Sequence, residues 1–120
     1  MNQIEFGNRE RIKLMQFLKK ASKEKDSEIW LALIEQLSKS KRNLRVVNLN
    51  RIDRFTKEGE VIVVPGKVLG IGSLNHQVSV GALSFSKEAA KKIRDLGGKC
   101  LTIPEIYELK KSNAEVKIIG

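Results

Sequence analysis

The residues best placed to do chemistry are cations, and they are bunched. Between Ser38 and Arg54 stand Lys39, Lys41, Arg42, Arg45, Arg51 and Arg54 against Asp53 alone, a net +5 within 17 residues. Four of the six are arginines. Guanidinium is a planar fork that meets phosphate with two parallel N–H bonds, whereas the lysine ammonium is a hydrated point charge. The set therefore favours specific phosphate contact, and the partner it points to is RNA or DNA. Lys67 is a weaker candidate: it lies beside Pro65-Gly66 and Gly70-Ile71-Gly72, a pattern that predicts a loop open to close approach of RNA. Arg9, Lys13 and Lys20 recur at helical spacing and offer a second basic surface, so that two faces would clamp separate RNA elements.

Reactive constellations are missing by comparison. His76 is the sole histidine and Cys100 the sole cysteine, so neither a histidine–cysteine pair nor a zinc site can be assembled. Two readings stay open for His76: a loop residue reaching a phosphate or base, or a bland exposed one. Cys100 beside Leu101 reads as a small buried filler. Gly70-Ile71-Gly72 lacks the third glycine of a dinucleotide fingerprint, where Asn75 stands, and a strand follows where a helix should open. Gly66-Lys67 lacks the first glycine of a phosphate-binding loop, at Val61, and its hydroxyl residue, at Val68. Glu58, Glu60 and Asp95 are scattered. No catalytic residue, cofactor, metal or small-molecule substrate is expected. A nucleotide-using enzyme on the Pro65–Gly72 loop is the runner-up, and a free RNA chaperone is a third reading.

The whole chain carries the same bias, with 23 basic against 14 acidic residues and a net charge of +9 over 120 residues. Such an excess calls for a polyanion, first nucleic acid and second an anionic membrane surface. No apolar run approaches the roughly 20 residues that span a bilayer, and no basic segment followed by an apolar one opens the chain. A cytoplasmic protein without a membrane partner is expected. One cysteine makes no internal disulfide, which fits a reducing compartment. At 41% hydrophobic residues the chain is of globular composition, and its length suits one domain, with residues 1–38 as a helical hairpin and 39–120 as an α/β core.

The elements that must hold these cations can be read from periodicity. Leu14, Phe17, Leu18 and Ala21 share one face of a helix from Arg9 to about Ala21, with Asn8 as its cap and Arg9, Lys13, Gln16, Lys20 and Lys23 opposite. A second helix, about Glu28–Leu37 and capped by Asp26 or Ser27, aligns Trp30, Leu33, Ile34 and Leu37. Trp30, inside that stripe, reads as core. A short strand over Leu44–Val47 precedes a short helix capped by Asn48. Val61–Val64 is an unbroken apolar run for a buried strand, which Pro65-Gly66 should end in a turn. Lys67-Val68-Leu69 resumes an extended pattern, and Val78, Val80 and Ala82 alternate along a further strand. Ser86 caps a helix from Lys87 to Leu96 that buries Ala89, Ala90, Ile93 and Leu96 and stops at Gly97-Gly98. A short strand at Lys99–Leu101 follows, then a helix to about Lys110 opened by the Thr102/Glu105 capping box, and a last strand at Glu115–Ile119.

Several of these residues together resemble one family. Lys67-Val68-Leu69-Gly70, Gly72, Leu74, Val78, Val80, Ala82, Phe85-Ser86, Ala89, Ile93 and Gly97 follow the pattern of large-subunit ribosomal protein fifteen and its archaeal and eukaryotic relative, eighteen-e. The segment Val46-Val47-Asn48-Leu49-Asn50-Arg51-Ile52 and the VVPGKVLGIG run are similar to the eighteen-e branch, and the likeness covers roughly Lys39–Gly97. The two N-terminal helices and the short, archaeal-looking length suit that branch; Leu44-Arg45 and His76 depart from the residue types common there. The resemblance implies an α/β fold of irregular strand-strand-helix turns with an N-terminal helical hairpin. It also implies a structural, non-enzymatic constituent of the large ribosomal subunit, with large-subunit ribosomal RNA and neighbouring ribosomal proteins as partners.

Overall fold

A computed structural model describes residues 8–24, 28–39, 45–111 and 115–120. The chain forms two compact units, one within Glu5–Leu44 and one carrying Arg45–Gly120.

The first unit is a helical pair, α1 (Asn8–Ala21) and α2 (Glu28–Lys39). Their apolar stripes are buried as the spacing requires: Leu14, Leu18 and Ala21 on α1, Trp30, Leu33 and Leu37 on α2. Arg11, near the start of α1, donates from Nη2 to the carbonyl of Leu37, near the end of α2 (2.7 Å), as antiparallel neighbours allow. Asn8 lies inside α1 rather than ahead of it. The caps expected at Asp26 or Ser27 fall outside the described residues.

The second unit is a five-stranded parallel sheet flanked by helices: β1 (Arg45–Asn48), α3 (Leu49–Phe55), β2 (Val61–Leu69), β3 (Ser79–Phe85), α4 (Lys87–Asp95), β4 (Lys99–Leu101), α5 (Ile103–Lys111) and β5 (Val116–Ile118). The mixed α/β architecture with an N-terminal helical pair is the one expected. Strand order is β1-β2-β3-β4. β3 takes one edge of β2 along its length. The other edge is shared: β1 pairs with Gly66–Leu69 and β5 with Val61–Val63. Both sheet faces are covered. Ile62, Val64, Val68, Val80 and Ala82 pack with Leu49, Ile52, Ala89 and Ile93 from α3 and α4, while Ile106 of α5 sits against Gly81. Burial on two faces is why Val61–Val64 reads as a continuous apolar run without alternation.

Pro65-Gly66 does not turn the chain. β2 passes straight through both residues, and only the register with β3 shifts, between Val64 and Lys67. The missing proline N–H falls at that irregularity, where no ladder bond is demanded. Gly66 lies opposite Arg45, and a Cβ there would run into the Arg45 carbonyl. The glycine serves close strand approach, not bending.

Local signals around α4 and α5 behave as read. Ser86 Oγ accepts from the Ala89 N–H (3.1 Å), and Gly97, at φ +81°, closes the helix with Gly98 N–H bonded to Ile93 O (3.0 Å). Because α4 ends at Asp95, Leu96 leaves the buried stripe and is 39% exposed. Thr102 and Glu105 form the reciprocal box, with Thr102 N–H to Glu105 Oε1 at 2.8 Å and Glu105 N–H to Thr102 Oγ1 at 3.3 Å.

Candidate nucleic-acid interface

Three of the predicted cations lie on β1 and on the helix α3 that follows it. Arg45 opens β1, and its side chain is exposed. Arg51 and Arg54 are exposed on α3, which follows β1 directly. Arg51 is tied down: Nη2 donates to the Gly120 carbonyl (3.2 Å), and the guanidinium lies 5.1 Å from the centroid of the Phe55 ring. One hydrogen bond leaves most of the five guanidinium donors unspent. Since Ile119 N–H bonds Val63 O next to the end of β5, Arg51 joins α3 to the edge where β1 and β5 follow one another. That edge is preorganised by backbone pairing.

Lys67 is placed differently from the expectation. It lies within β2, opposite Val46 on one side and Ser84 on the other, and is half-buried. The loop that was to expose it does not exist, because the turn it depended on is strand. Arg9, Lys13 and Lys20 are exposed on α1, as are Gln16 and Lys19, with Lys23 exposed in the turn after it, while Leu14, Leu18 and Ala21 are buried. They belong to the other compact unit. Lys41 and Arg42 lie outside the described residues, and Lys39 closes α2 with its side chain likewise undescribed.

His76 is not a bland exposed loop residue: its ring is held between two side chains. Its Nε2 is 2.7 Å from Thr56 Oγ1 and its Nδ1 is 3.3 Å from Asp53 Oδ1. The order of groups imitates a hydroxyl–imidazole–carboxylate relay, yet the chemistry runs the wrong way. Thr56 is buried and gives its single hydroxyl proton to Ile52 O (2.6 Å), so the imidazole must supply the proton of the histidine–threonine bond. No base faces that oxygen. Asp53 also accepts from the Asn75 backbone N–H (2.9 Å) and its side-chain amide (3.1 Å). The cluster pins the β2–β3 connection to α3. Lys92 pins its other part, donating to Gly70 O (2.8 Å) and Gly72 O (3.2 Å).

A half-open groove of about 520 Å³ runs along β3 and α4, lined by Phe85, Lys87, Ala90, Arg94, Cys100 and Leu101 among others. Burial pushes the Cys100 thiol up, with Arg94 opposing weakly, so this sulfur is a poor nucleophile at neutral pH. Among the described residues no group of three or more His, Cys, Asp or Glu could hold a metal ion, and no helix is long and apolar enough to cross a membrane.

Sequence reasoning missed Phe55. Among the described residues it is the exposed aromatic, at 48%, and it stands four residues after Arg51 beside Arg54. That local spacing was available in the sequence as a signal.

Residues 8–117 match the sequence profile of the family described as "Ribosomal protein 60S L18 and 50S L18e". The chain belongs to that family. Among similar members is the "Large ribosomal subunit protein eL18" of Methanothermobacter thermautotrophicus, 44% identical over 108 residues, which cover 90% of this chain and 89% of that protein. The protein of the same name from Methanoregula boonei is 39% identical over 116 residues, 97% of this chain and 96% of the relative. That from Methanococcus maripaludis is 40% identical over the full length of both. The family is one of ribosomal proteins rather than enzymes.

Proposed function

We propose that this L18e-family chain is a structural constituent of the large subunit of cytoplasmic ribosomes, holding large-subunit ribosomal RNA through two cationic surfaces. The supporting observation is family membership across nearly the whole chain, with relatives that carry the name of a large-subunit protein. Arg45, Arg51 and Arg54 make up the first surface; Lys39, Lys41 and Arg42 are further proposed phosphate contacts. Arg9, Lys13 and Lys20 make up the second. Lys and Arg side chains bridge the phosphates of neighbouring RNA segments and release their condensed counterions, offsetting the repulsion that opposes compact RNA. Neighbouring ribosomal proteins complete the surroundings. Lys67 contributes charge from within the sheet, not a contact loop. The proposed role is adhesive, not catalytic; of the Pro65–Gly72 segment on which the nucleotide-using alternative rested, Pro65–Leu69 is strand.

Binding of the protein to large-subunit RNA fragments, measured against salt, tests the placement. Each neutralised phosphate contributes roughly 0.7–0.9 to the slope of log K on log salt, so Arg45→Ala with Arg54→Ala should lower it by about 1.5. Both side chains are exposed, and unfolding should move by no more than about 0.5 kcal/mol. An unaltered slope would remove these residues from the interface. Sucrose-gradient sedimentation at high salt separates a stable constituent, which travels with large subunits, from a free chaperone, which does not.

A further inference from the structure

From the geometry around Phe55 we infer that its ring is a stacking platform for one unpaired base of the RNA. The inference rests on the reading above and deepens it by naming a base contact beside the phosphate contacts. Three observations carry it. First, the fold does not need the ring: α3 fills the core with Leu49 and Ile52, both fully buried, while Phe55 stays 48% exposed at the end of the helix. Second, the platform is held rigidly. Arg51 covers part of the ring at 5.1 Å and is anchored to Gly120, and Lys117 Nζ holds the Phe55 carbonyl (3.3 Å). A fixed ring spends little conformational entropy when a base stacks on it. Third, the rim is cationic and its carboxylates are occupied. Arg51 over the ring, Lys117 at the Phe55 carbonyl, and the sequence neighbours Arg54 and Lys57 are all exposed. Asp53 is engaged by Asn75 and His76, and Glu60 by the Lys57 N–H and Lys117. Glu58, exposed in the following turn, and Glu115, exposed just ahead of β5, are the carboxylates nearest to them in sequence that the described contacts leave unengaged.

An aromatic face among cations suits a nucleotide better than an apolar protein patch. The ring meets the base, whose π-face is present whatever its identity, and the guanidinium and ammonium groups meet the flanking phosphates. Arg51 adds a second plane on which a neighbouring base can lie. Because stacking reads no hydrogen-bond pattern, the platform accepts any unpaired base and sets position rather than sequence.

The test is equilibrium binding of the full chain to large-subunit RNA fragments, for wild type, Phe55→Ala, Phe55→Leu and Phe55→Trp. Phe55→Ala should bind roughly 5- to 150-fold more weakly with its salt slope unchanged, since a stacked base is lost and no phosphate contact is. Phe55→Trp should retain wild-type affinity. Phe55→Leu keeps apolar area but has no π-face, and should follow Phe55→Ala. Wild-type affinity in Phe55→Ala or Phe55→Leu, beside a normal salt slope, overturns this inference and leaves the ribosomal reading standing. Phe55→Ala that binds RNA normally yet leaves large subunits in a gradient would mean that protein covers the ring, which also overturns it. A wild-type chain without salt-dependent RNA affinity overturns both.

Discussion

Replacing Gly66 by Ala should damage the sheet more than any exposed substitution, because the new methyl meets only backbone. An added Cβ would run into the Arg45 carbonyl oxygen, with the carbonyl carbon at 2.8 Å and Cα at 3.1 Å. No side-chain rotation relieves that contact; β1 must back away from β2. Overpacking of this kind costs about 1–3 kcal/mol. Losing one ladder hydrogen bond at the Arg45–Gly66 pair adds about 0.5–1.5 kcal/mol. The sum is about 1.5–4.5 kcal/mol, a fall in melting temperature on the order of 6–36 °C for a unit of this size. Circular dichroism melts give the total, and amide exchange locates it: protection should fall at Val46–Asn48 while α4 keeps its own. RNA affinity should weaken as well, although no cation has been removed, because Arg45 moves with β1. A melting temperature within 2 °C of wild type would refute the argument that close strand approach selects this glycine.

Other expectations can be checked separately. His76→Ala removes the Thr56 contact and frees Asp53 on one side, and should cost about 1–3 kcal/mol, seen as a lower melting temperature with faster amide exchange at residues 70–78. The Lys57 backbone N–H, and after opposing desolvation the Lys117 ammonium, hold the Glu60 carboxyl below its ordinary value of 4.5. Its contribution to stability should be present above pH 4.5 and be lost as pH falls through the lower folded value, and carbon-detected NMR titration should find a midpoint under that of Glu60 in the unfolded chain. The Cys100 thiol, raised above 9.0 by burial, binds its proton more tightly folded than unfolded. Alkylation at pH 8 should therefore be slower in the native protein than in urea, and stability should decline as pH climbs past 9.0.

Much of the secondary structure was legible because its causes are local. Ser86 reaches Ala89 three residues on, and Thr102 and Glu105 cap each other across one turn. Trp30 sat in a stripe of spacing 3–4 and is core. What escaped was set by distant partners. Pro65-Gly66 has the composition of a turn, but the carbonyl that needs Gly66 bare belongs to Arg45, and no window around residue 66 contains it. Misreading that dipeptide also misplaced Lys67 in a loop. His76 takes its role from Asp53 and Thr56, more than a turn of any helix away in sequence, so a lone histidine looked idle. The arginines of β1 and α3 were visible as composition. The contacts of Arg51 with Phe55 and Gly120 were not, since β5, at Val116–Ile118, returns to the β2 edge at Val61–Val63 from much further along the chain.

The division of one β2 edge between β1 and β5 bears on how the protein is made. Val61–Val63 and their first partner strand β3 emerge from a translating ribosome long before Val116–Ile118. Until those residues arrive, the lower half of that edge offers bare amides and carbonyls to any passing chain. The polypeptide is therefore safe from its siblings only once β5 has been made, and Arg51 gains its Gly120 anchor later than its place on α3. The surface proposed for RNA would thus mature only after β5 has joined the sheet.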